Sequence, residues 1–268
     1  IEVLDIISII SGGGVIEPWA VALACVGFLI AGFIDSIAGG GGLISIPVLL
    51  IGGLPIHTLI ATNKLASSMG TTIATFKYYR EGYMRLEIIA PCIVFALVGS
   101  MIGANASLLV DENVIRVLML VVIPIAGFYV LRTKELGGGK EPLPKARRIA
   151  VCGIVALCVG FYDGFYGPGT GTFLMLLLTG LGHLKITDAA GTTKAINLTT
   201  NLAALVVFLV NGAVLIPLGL TCGLFNIAGN YLGARLFTQK GSALCRPIIL
   251  VVLVIFAIRV ICELAGLV

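Results

Sequence analysis

An aspartate followed within a few residues by a run of glycines, set inside an otherwise apolar stretch, occurs twice in this chain: "GFIDSIAGGGG" at Gly32–Gly42 and "GFYDGFYGPGTG" at Gly160–Gly171. Glycine runs interrupt helices, because a residue without Cβ loses the most conformational freedom when held in one. A carboxylate in apolar surroundings is costly unless it is paired. A chain that does both in one place, twice, is restricted to folds that tolerate irregular backbone and charge deep inside a hydrophobic structure.

Composition says what kind of structure that is. The 268 residues are 59% hydrophobic and 11% charged, with mean hydropathy +1.12, where soluble domains carry about 25% charged residues. Apolar runs of about 20 residues, long enough at helical rise to span a hydrocarbon core, mark an integral membrane protein. They are Trp19–Ile37, Ile60–Tyr79, Ile88–Leu109, Val114–Leu131, Ile149–Tyr166, Thr192–Val210, Leu215–Leu236 and Pro247–Leu264. Two further apolar pieces, Leu43–Ile51 and Thr172–Leu181, follow the glycine motifs and are too short to cross. The segment before Trp19 has no basic n-region and no small-residue cleavage site, so it does not read as a signal peptide. The net charge of +4 is modest and sits largely in short loops, which argues against a nucleic-acid partner. The seven cysteines are scattered singly without metal-ligand spacing and read as small buried side chains; neither a metal nor a cofactor is called for.

The second half repeats the first. Asp35 falls on Asp163 with Gly32 on Gly160, Gly39 on Gly167 and Gly41 on Gly169, all at an offset of 128. The offset then becomes 130: "ATNK" at Ala61–Lys64 falls on "GTTK" at Gly191–Lys194, and "GSMIGA" at Gly99–Ala104 on "GNYLGA" at Gly229–Ala234. Residues 1–131 and 149–268 are thus two copies of one unit. They are joined by the basic, Gly- and Pro-containing segment 132–148, which the positive-inside rule puts in the cytoplasm. Equivalent loops of the two halves carry opposite charge bias. Lys77, Arg80 and Arg85 surround a turn whose counterpart, Asn211–Pro217, is uncharged, while Asp111 and Glu112 correspond to a loop holding Arg235, Lys240 and Arg246. Oppositely oriented copies show such a bias. The fold expected is an all-α integral membrane protein of two inverted repeats, each with one broken or re-entrant hairpin and about three transmembrane helices; four parallel crossings per half is the alternative.

Non-helical backbone at membrane depth needs protein or a wet cavity around it. Gly39, Gly40, Gly41 and Gly42, and Gly167, Gly169 and Gly171 with Thr170, would end one helix and free the first amides of the next, near Leu43 and Thr172. Such amides favour an anion, and inverted-repeat transporters place substrates at broken helices near the midplane. The bland alternative is close packing of small residues, which suits the GSMIGA-type pairs better. Lys64 and Lys194 lie within apolar segments, where a charge suggests function. Thr62, Asn63, Ser67 and Ser68 around the first, and Thr192, Thr193 and Asn197 around the second, add neutral hydrogen bonds suited to an oxyanion. The lysines can equally pair with Asp35 and Asp163 as structural ion pairs, and those carboxylates can exchange a proton if burial raises their pKa. His57 and His183 do not align between the copies and read as solvated or capping residues. Tyr78, Tyr79 and Tyr83 read as a membrane-interface cluster.

At these residues the sequence resembles the sulfite exporter TauE/SafE family, in particular its YfcA-like branch. "AGFIDSIAGGGGLISIP" (Ala31–Pro47), "ATNKLASS" (Ala61–Ser68), "VGFYDGFYGPGTG" (Val159–Gly171) and "LGARL" (Leu232–Leu236) carry the resemblance, which covers nearly the whole chain. It implies a multi-pass plasma-membrane protein of bacteria or archaea that exports small sulfur-containing anions such as sulfite or organosulfonates. The second copy departs from the first by Pro168 and Thr170 in place of Gly40 and Gly42, so the two half-sites are not expected to bind identically. The expectation is a secondary transporter rather than an enzyme, with a small anionic solute and the bilayer as partners and a homodimer left open. A passive anion channel is the alternative within transport. An intramembrane aspartyl protease, in which one of two facing carboxyls stays protonated beside the other, is the alternative outside it.

Overall fold

The structure is a computed structural model that describes residues 17–111, 114, 141–240, 247 and 248. Apart from those single residues, the expected spans Val114–Leu131 and Pro247–Leu264 lie outside the described residues, as do positions 132–140 of the linker. Among the described residues the chain forms eight helices and no strands. Four come before the linker, α1 (Pro18–Ala38), α2 (Gly42–Ile51), α3 (Ile56–Arg80) and α4 (Leu86–Leu109), and four from its last four residues onward, α5 (Lys145–Phe165), α6 (Thr170–Gly180), α7 (Ile186–Val210) and α8 (Ile216–Lys240). The second set repeats the first in order and length. The two-residue slip of the sequence repeat falls in one place: α6 has 11 residues against 10 in α2, and the connection to the next helix, 181–185 against 52–55, is longer by one more.

α1, α4, α5 and α7 are long and apolar enough to cross a membrane. α3 and α8 are as long, at 25 residues each, but carry more polar side chains, Thr62 to Thr75 in one and Thr221 to Asn230 in the other. Three expected segments start four or more residues too late. α5 begins at Lys145 rather than Ile149, directly after Pro144, so positions 145–148 of the expected linker are helical. α3 begins at Ile56, directly after Pro55, whose fixed φ suits a helix entry. α7 begins at Ile186 rather than Thr192, because Asp188 in its first turn is neutralised by Arg85 at 2.7 Å and faces the helix dipole favourably. The short helices start at Gly42 and Thr170, one and two residues before the expected Leu43 and Thr172.

The two sets are interleaved. α4 packs most closely on α5, and α8 on α1, through glycines that bring backbones together. A Cβ on Gly99 or Gly103 would lie 2.3 Å or 2.1 Å from the carbonyl oxygen of Leu157 or Phe161, and one on Gly229 or Gly233 would lie 2.1 Å or 2.3 Å from that of Leu29 or Phe33. The GSMIGA-type pairs are therefore packing glycines. In both contacts the residue numbers rise together, so the paired helices run parallel. α8 also runs parallel to α3, where Gly219 faces Leu65 and Gly223 faces Met69. α3 and α7 run antiparallel: Lys64 reaches Asn201, while Thr75 donates to the carbonyl of Lys194.

Large apolar side chains such as Val26, Phe76, Val94, Ile102, Val206 and Leu224 are exposed around the outside, as a surface in lipid requires. Tyr78 corrects the expected interface cluster. It is fully buried, donates to the carbonyl of Ser36 at 2.6 Å and packs against Phe237 and Tyr83, because the α1–α3–α8 contact encloses that face of α3. Tyr79, one residue on, points outward. His183 is a half-buried loop residue with φ 53°, within 2.7 Å of the Glu141 carbonyl.

Candidate functional site

Each glycine motif ends one helix and starts another. Gly39 caps α1 in the left-handed conformation at φ 76° and donates to the Asp35 carbonyl, while Gly167 and Gly169 take φ 99° and 79° between α5 and α6. These conformations favour glycine, yet the stronger constraint is contact between the two breaks. A Cβ on Gly39 would lie 2.3 Å from the backbone of Gly171, and one on Gly42 would lie 3.1 Å from Cα of Pro168. The Thr172 amide donates to the Gly39 carbonyl at 3.3 Å, and its hydroxyl to the Ala38 carbonyl at 2.8 Å. The motif occurs twice because two broken helices cross backbone on backbone.

At this crossing the amides of Gly41, Gly42 and Gly171 donate to no backbone carbonyl among the described residues, as befits the first turn of a helix. All three glycines line a cavity with about 30 Å³ open to the centres of water molecules, room for about two of them.

Lysine and aspartate pair crosswise between the two sets of helices. Lys64 of α3 lies 2.8 Å from Asp163 of α5, and Lys194 of α7 lies 2.8 Å from Asp35 of α1; both lysine side chains are 2% exposed. The four charges sum to zero. The pairs are built differently. Lys194 donates to both the carboxylate and the carbonyl of Asp35. Lys64 is shared: its ammonium lies 2.8 Å from Asp163 Oδ2 and donates to Asn201 Oδ1 at 3.2 Å. The other oxygen, Asp163 Oδ1, lies 2.7 Å from the Thr170 hydroxyl, which is also 2.6 Å from the Gly167 carbonyl.

Of the residues expected at the site, Asp35, Gly39, Gly41 and Gly42 line the cavity from the first break, and Asn63, Lys64 and Ser67 from α3. Asp163, Gly167, Thr170, Gly171 and Asn197 line it from the other half. The rest lie outside the lining. Gly40 and Gly169 shape the turns, with Gly40 accepting from Leu43 and Gly169 from Phe173. Thr62 accepts from the Leu215 amide at 3.1 Å, Ser68 donates to the Leu65 carbonyl at 2.8 Å, and Thr172 ties the breaks together. Lys194 stands behind Asp35, and Thr192 and Thr193 are buried beside it with hydroxyls that find no hydrogen-bond partner among the described residues. Three lining residues escaped the sequence reading: Thr71, Asn201 and Asn226. Thr71 and Asn201 are themselves a repeat pair at the offset of 130, so the same superposition could have found them. Asn226 falls on Ala96 and has no counterpart; its signal is an amide, with Asn230 one turn on, in an apolar run.

A family model described as Sulfite exporter TauE/SafE matches residues 23–260. Among curated proteins, the chain is 36% identical to a probable membrane transporter protein, ORF9, of a Sinorhizobium species, over 90% of this chain and 92% of the relative. It is 35% identical to a probable membrane transporter protein of Haemophilus influenzae, over 85% and 89%, and 33% identical to the probable membrane transporter protein YfcA of Escherichia coli, over 89% and 88%. No solved structure matches.

Proposed function

We propose, on the premise that this chain belongs to the sulfite exporter TauE/SafE family and is a multi-pass membrane transporter, that it is a secondary transporter of a small sulfur-containing anion. The reading is of alternating access: 1–131 and 149–268 are inverted repeats that rock about the crossing of their broken helices, in the plasma membrane of a bacterium or archaeon, with 132–148 in the cytoplasm. Export follows the description of the family. The inverted arrangement is supported by helix directions. α8 runs with α1 and α3, α4 runs with α5, and α3 runs against its own counterpart α7, as inverted copies require.

The observation that carries the reading is the cavity at the crossing, where free helix-start amides, the Lys64 ammonium and the amides of Asn63 and Asn197 converge. Those groups suit the oxygens of a compact anionic head. Asp35 and Asp163 each face a lysine rather than one another, which argues against the shared-proton dyad of an aspartyl protease. The small cavity favours a carrier over an open anion channel.

The test is a thermal-shift titration of detergent-purified protein against sulfite, sulfate, thiosulfate, taurine, sulfoacetate and acetate at fixed ionic strength. Saturable stabilisation by a sulfite- or sulfonate-type anion, absent in Lys64→Ala, is expected, since a ligand at 100 times its Kd adds about 2.7 kcal/mol. Equal stabilisation in Lys64→Ala would remove the lysine from the site, and no response to any anion would refute an anion site at the crossing.

A further inference from the structure

We propose that Asp163, with Thr170, is the proton-exchanging acid of this transporter, and that each negative charge is carried together with one proton, so that transport is electroneutral. The inference rests on the anion reading above and deepens it to the coupling ion and its residue.

The cavity is charge-balanced as built. Its lining cation, Lys64, already faces Asp163; Asp35 lies across the cavity from that pair and is held by Lys194 from behind. No other charged side chain among the described residues lines the space: α2 and α6 contribute none, α4 and α8 none, and α7 only amides. An anion that binds Lys64 in this enclosure leaves one uncompensated negative charge, and uncompensated charge in a low-dielectric interior is prohibitive. A proton taken up from water by a carboxylate restores neutrality with no other charge moved.

Three observations choose Asp163 over Asp35. Asp163 pairs with the lysine that lines the cavity, whereas Asp35 pairs with one that does not. Its lysine is shared with Asn201, whereas Lys194 gives both of its hydrogen bonds to Asp35. And it has a hydroxyl suited to both protonation states. Thr170 has one hydroxyl proton and two acceptors within 2.7 Å, Asp163 Oδ1 and the Gly167 carbonyl. With Asp163 ionised, the hydroxyl donates to Oδ1. Once a proton sits on Oδ1, that O–H donates to Thr170 Oγ1 and the threonine proton turns to the Gly167 carbonyl. Lys64 is then released to the anion, and the reverse exchange follows when the anion leaves. At the equivalent place in the first half stands Gly42, which offers Asp35 no such relay.

The experiment uses the full chain in proteoliposomes with radiolabelled methanesulfonate, whose own proton does not titrate near neutral pH, a lumenal pH dye and a potential set by potassium and valinomycin. The wild type is expected to move one proton with each anion, with a flux that changes less than twofold when 100 mV is imposed. Asp163→Asn should move the anion without the proton and become potential-dependent by severalfold. Thr170→Val should shift the pH of half-maximal flux and Thr170→Ser should restore it. Potential-driven wild-type flux without proton movement would overturn the proposal and needs no variant to fold. Proton movement persisting in Asp163→Asn would overturn the assignment. No saturable flux of methanesulfonate, sulfite or acetate in the wild type would instead refute the transport reading, and this inference with it.

Discussion

The Asp35–Lys194 and Asp163–Lys64 pairs come from the same repeated motif and occupy equivalent places, yet one is finished as a joint and the other as a site. Lys194 is clamped to both the carboxylate and the carbonyl of Asp35, behind the cavity wall. Lys64 faces the cavity and shares its attention between Asp163 and Asn201. Around them the neighbours differ in the opposite sense. On the Lys64 side, Thr62 is bonded to Leu215 and Asn63 to Ser45, whereas Thr192 and Thr193 beside Lys194 keep unmatched hydroxyls. Duplication supplies two copies of a polar cluster, and a few substitutions, Gly42 against Thr170 among them, assign them different work.

Substitutions can break this comparison, and the largest effect is expected where the halves touch. Gly39→Ala puts a Cβ against the Gly171 backbone and strains a left-handed residue. Overpacking of about 1–3 kcal/mol plus about 1–2 kcal/mol of strain should leave little folded protein, checked by size-exclusion chromatography in detergent. Next come the ion pairs. Lys194→Ala takes away the donor to both the carboxylate and the carbonyl of the half-buried Asp35 and should cost about 3–5 kcal/mol in thermal melting. Lys64→Ala should cost less, about 1–3 kcal/mol, because Asp163 can take a proton and keep its bond to Thr170; equal losses would erase the distinction between joint and site. Smaller again is the contrast of two equivalent threonines. Thr62→Val removes the acceptor of the Leu215 amide and should cost about 1–3 kcal/mol, whereas Thr192→Val removes an unmatched hydroxyl and should stay within about 0.5 kcal/mol of wild type or gain. Arg85→Ala should change stability least, about 1 kcal/mol or below, since its partner Asp188 sits at the exposed end of α7.

Much of this was legible in the chain because duplication makes a motif stand out. The two glycine breaks, the four charged residues and the packing glycines Gly99, Gly103, Gly229 and Gly233 all followed from laying one half on the other. What stayed hidden is whatever depends on which helix lies beside which. That Lys64 meets Asp163 rather than Asp35 is a consequence of interleaving, with α4 on α5 and α8 on α1, and no spacing along the chain records it. Helix starts were misplaced where hydropathy alone set them: the first turn of α7 holds Asp188, tolerable only because Arg85 comes to it from the other half. Tyr78 misled because an interfacial tyrosine and a core tyrosine with a buried carbonyl partner look alike in sequence.

If two oppositely oriented copies cross at one place, equivalent turns of the two halves lie on opposite sides of the membrane. Impermeant thiol labelling tests it most directly, with single cysteines introduced at two equivalent exposed turn positions, Glu81→Cys and Asn211→Cys, in a chain freed of its own seven cysteines. Inverted copies with the basic turn inside should label at position 211 in intact cells and stay protected at position 81, which reacts only once the membrane is opened. Labelling of both positions from the same side would contradict the inverted arrangement, and with it the crossing as the centre of an alternating-access site.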